Sequence, residues 1–349
     1  MRRPTLEKLN LERWVETLRR PVRFGTLLFA LLLPALLAGN NYFILVLCLI
    51  GIYLLVVTGL DILYGFSGQV SLGHAAFFGI GAYVSAIAST DLAISVWLSM
   101  LLAVAAGVVV GALLAWPSVK LVHHFLALVT IGFGEIVRLL FLNSREVTGG
   151  FEGIGNIPSP SVGGFELDSY TRYYYLVLVF VVAGMIVKRN LRKSTWGRKL
   201  VAIRENSTAA EAFGIPLLST RTIAFAISAA YGALGGALYA HLISYISPGS
   251  FTFNHSTLFL TMVLIGGYGT VWGPIVGVTT LTLLTEYGQR FEQYQGVFFG
   301  LAIIIVVAAM PRGIVGSLED IYADHLRQKS HRGGRGATVV AAAEEVDVE

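Results

Sequence analysis

The sequence predicts an all-α, polytopic integral membrane bundle of about eight to ten spans, and three observations predict it. Of the 349 residues 55% are hydrophobic and 13% charged, with a mean hydropathy of +0.71, against about 25% charged in a soluble domain. Apolar runs near the length of about 20 residues that a membrane helix needs recur along the chain. The basic residues are gathered rather than dispersed: of 25 Lys and Arg, seven precede residue 24, eight lie in 188–221 and five follow residue 310.

Residues 1–23 place Leu6, Leu9, Leu11, Trp14, Val15 and Leu18 at helical spacing among seven basic residues, which predicts a basic amphipathic helix on the inner leaflet. No small-residue cleavage site follows, so this segment does not read as a cleaved signal. The first span is expected at about 24–38, closed by Gly39-Asn40-Asn41. The next are expected at about 42–60, 70–88, 95–115 (closed by Trp116-Pro117) and 121–142. Residues 143–170, rich in Gly, Pro and Ser, read as a water-facing loop. A sixth span is expected at about 173–187, before the long hydrophilic segment 188–221. A further one is expected at about 222–246, and a last one at about 296–309. Between them the run 256–287 is broken by G-G-Y-G-T-V-W-G-P, predicting two half-helices that either dip in and return or cross twice. The whole of 24–315 reads as the membrane domain, with a polar, disordered tail at 316–349.

Basic segments favour the cytoplasmic side, so 1–23, 188–221 and the tail are expected inside and 143–170 outside. That distribution also argues against nucleic acid as the reason for the net charge of +4. The single cysteine, Cys48, excludes an internal disulfide, and no metal-ligand spacing occurs. Phosphate-loop, H-E-x-x-H and G-x-S-x-G motifs are absent from the sequence, so uphill transport would need an ion gradient or a borrowed ATPase.

The stretch Tyr64 to Tyr83, Y-G-F-S-G-Q-V-S-L-G-H-A-A-F-F-G-I-G-A-Y, interrupts apolar sequence with five glycines, two serines, a glutamine and a histidine. Polar groups at membrane depth line a cavity or are buried in protein. Ser67, Gly68, Gln69, Ser71, Gly73 and His74 are therefore candidates for a pathway or a helix break. The competing reading is close helix packing through small and polar residues. A second Gly-rich interruption, with Gly266, Gly267 and Gly269, lies in the other half of the chain. Paired interruptions of this kind point to a transport site between two repeats. Glu135 and Arg138, at i,i+3, serve either the pathway or one another. Glu286 and Arg290 read as a structural pair near a span end, and Asp61 as a cap for the helix that follows. Small-xxx-small spacings at Gly107/Gly111, Gly232/Gly236, Gly269/Gly273 and Gly273/Gly277 are helix-packing signals.

In W-G-R-K-L-V-A-I-R-E-N-S-T-A-A-E-A-F-G-I-P, residues 196–216, Thr208-x-x-Glu211 has the pattern of a capping box, and Gly214 with Pro216 supplies a stop. A short helix standing outside the membrane is expected, either to meet a soluble partner through Arg204 and Glu205 or only to set orientation.

Four stretches, in order, resemble the permease subunits of bacterial branched-chain amino acid ABC importers, the LivM family. They are G-F-S-G-Q-V-S-L-G-H-A-A-F-F-G-I-G-A-Y, T-G-G-F-E-G-I, G-R-K-L-V-A-I-R-E-N-S-T-A-A-E-A-F-G-I and G-G-Y-G-T-V-W-G-P-I-V-G, followed by P-R-G-I-V-G at 311–316. The resemblance implies that Arg204, Glu205, Ala210, Glu211 and Gly214 couple to ATPase subunits, which carry the ATP and magnesium. It also implies a homologous second permease of the LivH kind, an inner-membrane location with both termini cytoplasmic, and surrounding lipid. An external or lipid-anchored solute-binding protein would dock near Thr148, Gly149, Gly150, Gly153 and Ile154. The implied cargo is a branched-chain amino acid. Permeases for urea or short amides share these motifs, and a carrier or channel acting alone is the alternative from another class.

Overall fold

The computed structural model describes residues 25, 28–36, 40–118, 123–288, 300, 304 and 313–317. The basic segment 1–23, most of the last expected span and most of the tail lie outside the described residues.

The helix around which the others gather is α8, formed by Leu217–Ile243, which packs against α1 (Asn41–Asp61), α2 (His74–Thr90) and α3 (Val96–Ser118). Its A-A-Y-G-A-L-G-G-A composition explains this. Lipid tails offer no hydrophobic drive between helices, so close backbone approach and van der Waals contact must hold them. A side chain on Gly236 would overlap the carbonyl of Phe78, and one on Gly81 would overlap that of Ala233. Gly107 and Gly111 of α3 receive Ala229 and Ala233 in the same way. The spacings at 107/111 and 232/236 are thus contact stripes between helices.

After α3 come α4 (His123–Asn143) and α5 (Tyr170–Lys193), then α6 (Thr195–Glu205) and α7 (Ser207–Ala212). Beyond α8 lie α9 (Phe253–Gly266) and α10 (Gly273–Gly288). Five described segments are long and apolar enough to cross a membrane: Asn41–Phe66, Val96–Pro117, Phe125–Asn143, Tyr170–Lys193 and Leu217–Ile243. Residues 28–36 are also helical; Tyr174 donates its hydroxyl to Ala30 and Tyr175 to Leu31.

Several boundaries differ from the sequence reading. The third span begins at His74, because Gly68–Gly73 is unwound. The fourth continues past Trp116 to Ser118 with Pro117 inside it. The sixth extends to Lys193 rather than stopping at Val187, because Lys188 finds a buried partner. The helix expected from 222 starts at Leu217, just after Pro216, and ends at Ile243.

Two ends of the bundle can be told apart. At one, β1 (Ile154–Gly155) pairs antiparallel with β4 (Tyr245–Ile246), and a small hairpin joins β2 (Ser161–Val162) to β3 (Phe165–Glu166). Here Tyr42 meets Glu286, and Trp97 donates to the carbonyl of Ser161. At the other end stand α6 and α7. The broken run forms an antiparallel pair: α9 descends from the strand end, reverses near Asp61 and Gly65, and α10 returns to Tyr42. With 14 and 16 residues these helices are about 21 and 24 Å long, shorter than the apolar core of about 30 Å. Gly266, Gly273 and Gly277 let them touch backbone to backbone.

Candidate coupling segment and helix interruptions

α6 and α7 are two short helices, each with its own polar cap. Ser194 Oγ accepts from Gly197 N at 3.1 Å, and Asn206 Oδ1 accepts from Ala209 N at 3.0 Å. The cap of the second helix is therefore Asn206 and not Thr208. Asn206 lies just ahead of the first turn, where a side-chain oxygen reaches a free amide. At the other end Gly214, with φ of +77°, donates to Glu211 O while Ile215 donates to Ala210 O, a Schellman closure that favours glycine. Leu200, Ile203 and Ala210 are buried against the bundle. Glu205, Glu211 and Phe213 face outward, Phe213 at 87% exposure.

The first interruption follows α1 through a π-turn, Ile62–Phe66. Its unwound amides find partners, Gln69 N donating to Leu63 O and Leu72 N to Thr130 Oγ1, and in the first turn of α2 Ala75 N donates to Ser256 Oγ. Ser67 and Gln69 are buried together, with Ser67 Oγ 2.6 Å from Leu63 O and 3.2 Å from Gln69 Oε1. His74 is fully buried between Ser71 (3.0 Å) and Ser228 (2.7 Å). The Ser228 hydroxyl donates to Gly59 O, leaving its oxygen to accept. The ring is accordingly the Nε2–H tautomer, and Nδ1 accepts from Ser71. Both nitrogens are engaged, and the ring ties α2 to α8 and α1. Gly73 lies against the carbonyl of Thr130, where a Cβ would not fit.

The second interruption, Gly267 to Trp272, meets the first. Tyr64 and Tyr268 pack edge to face at 5.3 Å between centroids, and a Cβ on Gly65 would fall on the backbone of Gly269. α6 reaches the same point. Arg204 Nη1 donates to Gly65 O at 2.5 Å, its guanidinium lies 5.8 Å from the Tyr268 ring, and Gly68 faces its side chain. Beneath this contact Lys188 Nζ is 2.6 Å from Asp61 Oδ2, the two side chains being 2% and 0% exposed. Lys188 also donates to Thr270 O at 2.9 Å, and Asp61 Oδ1 accepts from Gly269 N at 2.6 Å. Removing one partner of such a pair costs about 3–5 kcal/mol, because the other charge is left buried alone. Asp61 does not cap α2, whose N-cap position is Gly73.

Glu135 and Arg138 pair on the open face of α4 at 2.5 Å, half and about a quarter exposed, away from the crossing of the interruptions. Glu286 pairs with the Tyr42 hydroxyl; Arg290, its expected partner, lies outside the described residues. In the loop after α4, Gly149, Gly150 and Gly153 all have positive φ. A Cβ on Gly153 would overlap Ile246 O, so these glycines fold the loop down onto β4. Thr148 is buried and donates to Ser144 O at 2.8 Å, and Ile154 pairs with Ile246. The bend leaves Phe151 84% exposed, beside Glu152 and Arg145.

A protein family described as "Branched-chain amino acid transport system / permease component" matches residues 42–307. The chain belongs to that family. Two similar relatives of this permease are the high-affinity branched-chain amino acid transport system permease proteins LivM of Salmonella typhimurium (strain LT2), 33% identical, and of Escherichia coli (strain K12), 32% identical. Each comparison runs over 287 residues, 76% of this chain and 68% of the relative. LivH of Escherichia coli (strain K12) is 23% identical over 76% of this chain and 92% of its own length. No solved structure matches.

The family match takes in α1 to α10, hence both interruptions, the α6–α7 pair and the folded loop. In this permease the Gly-rich elements and α6, separate in the sequence, converge on Gly65 and Gly269. At the centre of that convergence, Lys188 is not singled out by sequence and Asp61 is singled out only as a helix cap. Lys188 reads as one more orienting charge, and its partner is far away along the chain. The available signal was an Asp inside an apolar run at the edge of a glycine-rich break, which calls for a buried cation.

Proposed function

We propose that this chain is one permease subunit of a binding-protein-dependent ABC importer that carries branched-chain, hydrophobic amino acids across a bacterial inner membrane. Membership of the branched-chain permease family, whose relatives are named for branched-chain amino acid transport, supports the cargo. The observation that carries the coupling is the α6–α7 pair: capped at both ends, presenting Glu205, Glu211 and Phe213 outward and holding the membrane domain through Arg204.

In this reading α6 and α7 stand in the cytoplasm and dock on two ABC ATPase chains, which bind ATP and magnesium and perform the hydrolysis. A LivH-like second permease completes the pathway. A solute-binding protein delivers the amino acid to the opposite face, touching Phe151, Glu152 and Arg145, which the T-G-G-F-E-G-I bend presents. Both termini lie on the cytoplasmic side. Glu135 and Arg138, at membrane depth on the open face of α4, border the pathway.

The test is uptake by the reconstituted complex. Glu211→Pro removes a backbone donor from α7; the complex is expected to assemble and hydrolyse ATP while uptake is lost. Uptake that survives this change, or transport by the purified single chain without ATPases, would overturn the reading. A cognate binding protein selective for urea or a short amide over leucine would reassign the cargo.

A further inference from the structure

We propose that the Lys188–Asp61 ion pair is the link through which movement of α6 and α7 reaches the reversal between α9 and α10. The two residues position that reversal for transport and do not contact the cargo. The inference rests on the importer reading above.

Lys188 lies in the penultimate turn of α5, and a single residue, Ser194, separates α5 from α6 while capping the latter. A displacement of α6 therefore arrives at Lys188 through one residue and one helical turn. From Lys188 the connection leaves α5 altogether. Its ammonium is 2.9 Å from Thr270 O and 2.6 Å from Asp61, whose other oxygen takes the amide of Gly269. Two of these three contacts end on the backbone of the reversal. That backbone is unwound, with φ of +103° at Gly267 and +72° at Gly269. Peptide groups outside a helix at membrane depth need protein partners, and here the ion pair supplies two of them. Arg204 of α6 adds a second attachment to the same place, through Gly65 O and the Tyr268 ring.

Stability alone does not call for charge at this position. A buried ion pair is often no more stabilising than neutral residues of similar volume, and the neighbouring contacts at His74 are made by neutral groups. What the charges add is a strong, directional tie between three separate elements: α1, α5 and the reversal.

The experiment uses the complete complex with the double variant Asp61→Asn/Lys188→Met, which removes both charges without stranding either. Amino acid transported per ATP hydrolysed is expected to fall at least tenfold, with hydrolysis retained. Lys193→Ala, an exposed change in the same helix, is expected to leave the ratio unchanged. Spin labels at Thr208 and Val271 add a readout that a merely structural role would not move. Both are expected to shift with nucleotide in the wild type, and only the Thr208 label in the double variant. A wild-type transport ratio in the double variant, or a Val271 label that still follows nucleotide, would overturn the inference. So would failure of the double variant to assemble, which would assign the pair to stability alone. A wild-type complex that does not couple hydrolysis to uptake would instead refute the importer reading.

Discussion

Gly65 and Gly269 meet backbone to backbone, 204 residues apart in the chain, at the point where the two glycine-rich interruptions cross. A Cβ on Gly65 would land on the amide of Gly269, and one on Gly269 would press on the carbonyl of Gly65.

Gly65→Val should therefore force the interruptions apart. Overpacking of this kind costs about 1–3 kcal/mol, so the melting temperature of the detergent-solubilised chain is expected to drop by several degrees. Gly132→Ala is the control. Gly132 is helical and has no neighbouring atom in the way, and alanine there is expected to leave stability unchanged or raise it by about 0.5–1 kcal/mol.

His74 acts through its hydrogen bonds to Ser71 and Ser228. His74→Ala leaves the buried Ser71 hydroxyl without its acceptor, a loss of about 1–3 kcal/mol. Thermal melting is expected to report that loss, while the KM for uptake in the complex stays at the wild-type value. A large rise in KM with unchanged melting would place His74 in the pathway instead.

Gly214 closes α7 in the left-handed region. Gly214→Val strains that closure by about 1–2 kcal/mol and shifts the neighbouring Phe213. Retention of the ATPase chains on the purified permease is expected to fall, with the helix content of the isolated chain scarcely altered by circular dichroism.

At the opposite end, Phe151→Ser and Glu152→Arg change exposed side chains and should leave melting untouched. Titration with the solute-binding protein is expected to show at least tenfold weaker association. Gly153→Ala should differ in kind, lowering melting as well, because its Cβ would overlap Ile246 O.

Much of this architecture could be read from residue order. Apolar runs and basic clusters located the helices, and the unwound segments fell where glycine and polar residues broke those runs. Gly214 with Pro216 marked the end of α7 correctly, since φ above zero there favours glycine. Its beginning was misread, because Asn206 and Thr208 both have cap chemistry and only the backbone path selects between them. The convergence on Gly65, Gly269 and Arg204 was not legible, since it depends on how distant segments fold together. Nor was the role of Lys188: nothing local distinguishes a cation that turns inward to Asp61 from Arg189 beside it, which remains exposed.

α8 runs as one hydrogen-bonded helix for 27 residues, about 40 Å. It begins three residues beyond Gly214, and past Ser244 it passes directly into β4, which holds the folded loop through Ile154. In the importer reading proposed above, the surface offered to the binding protein and the surface offered to the ATPases are therefore tied to opposite ends of a single rod.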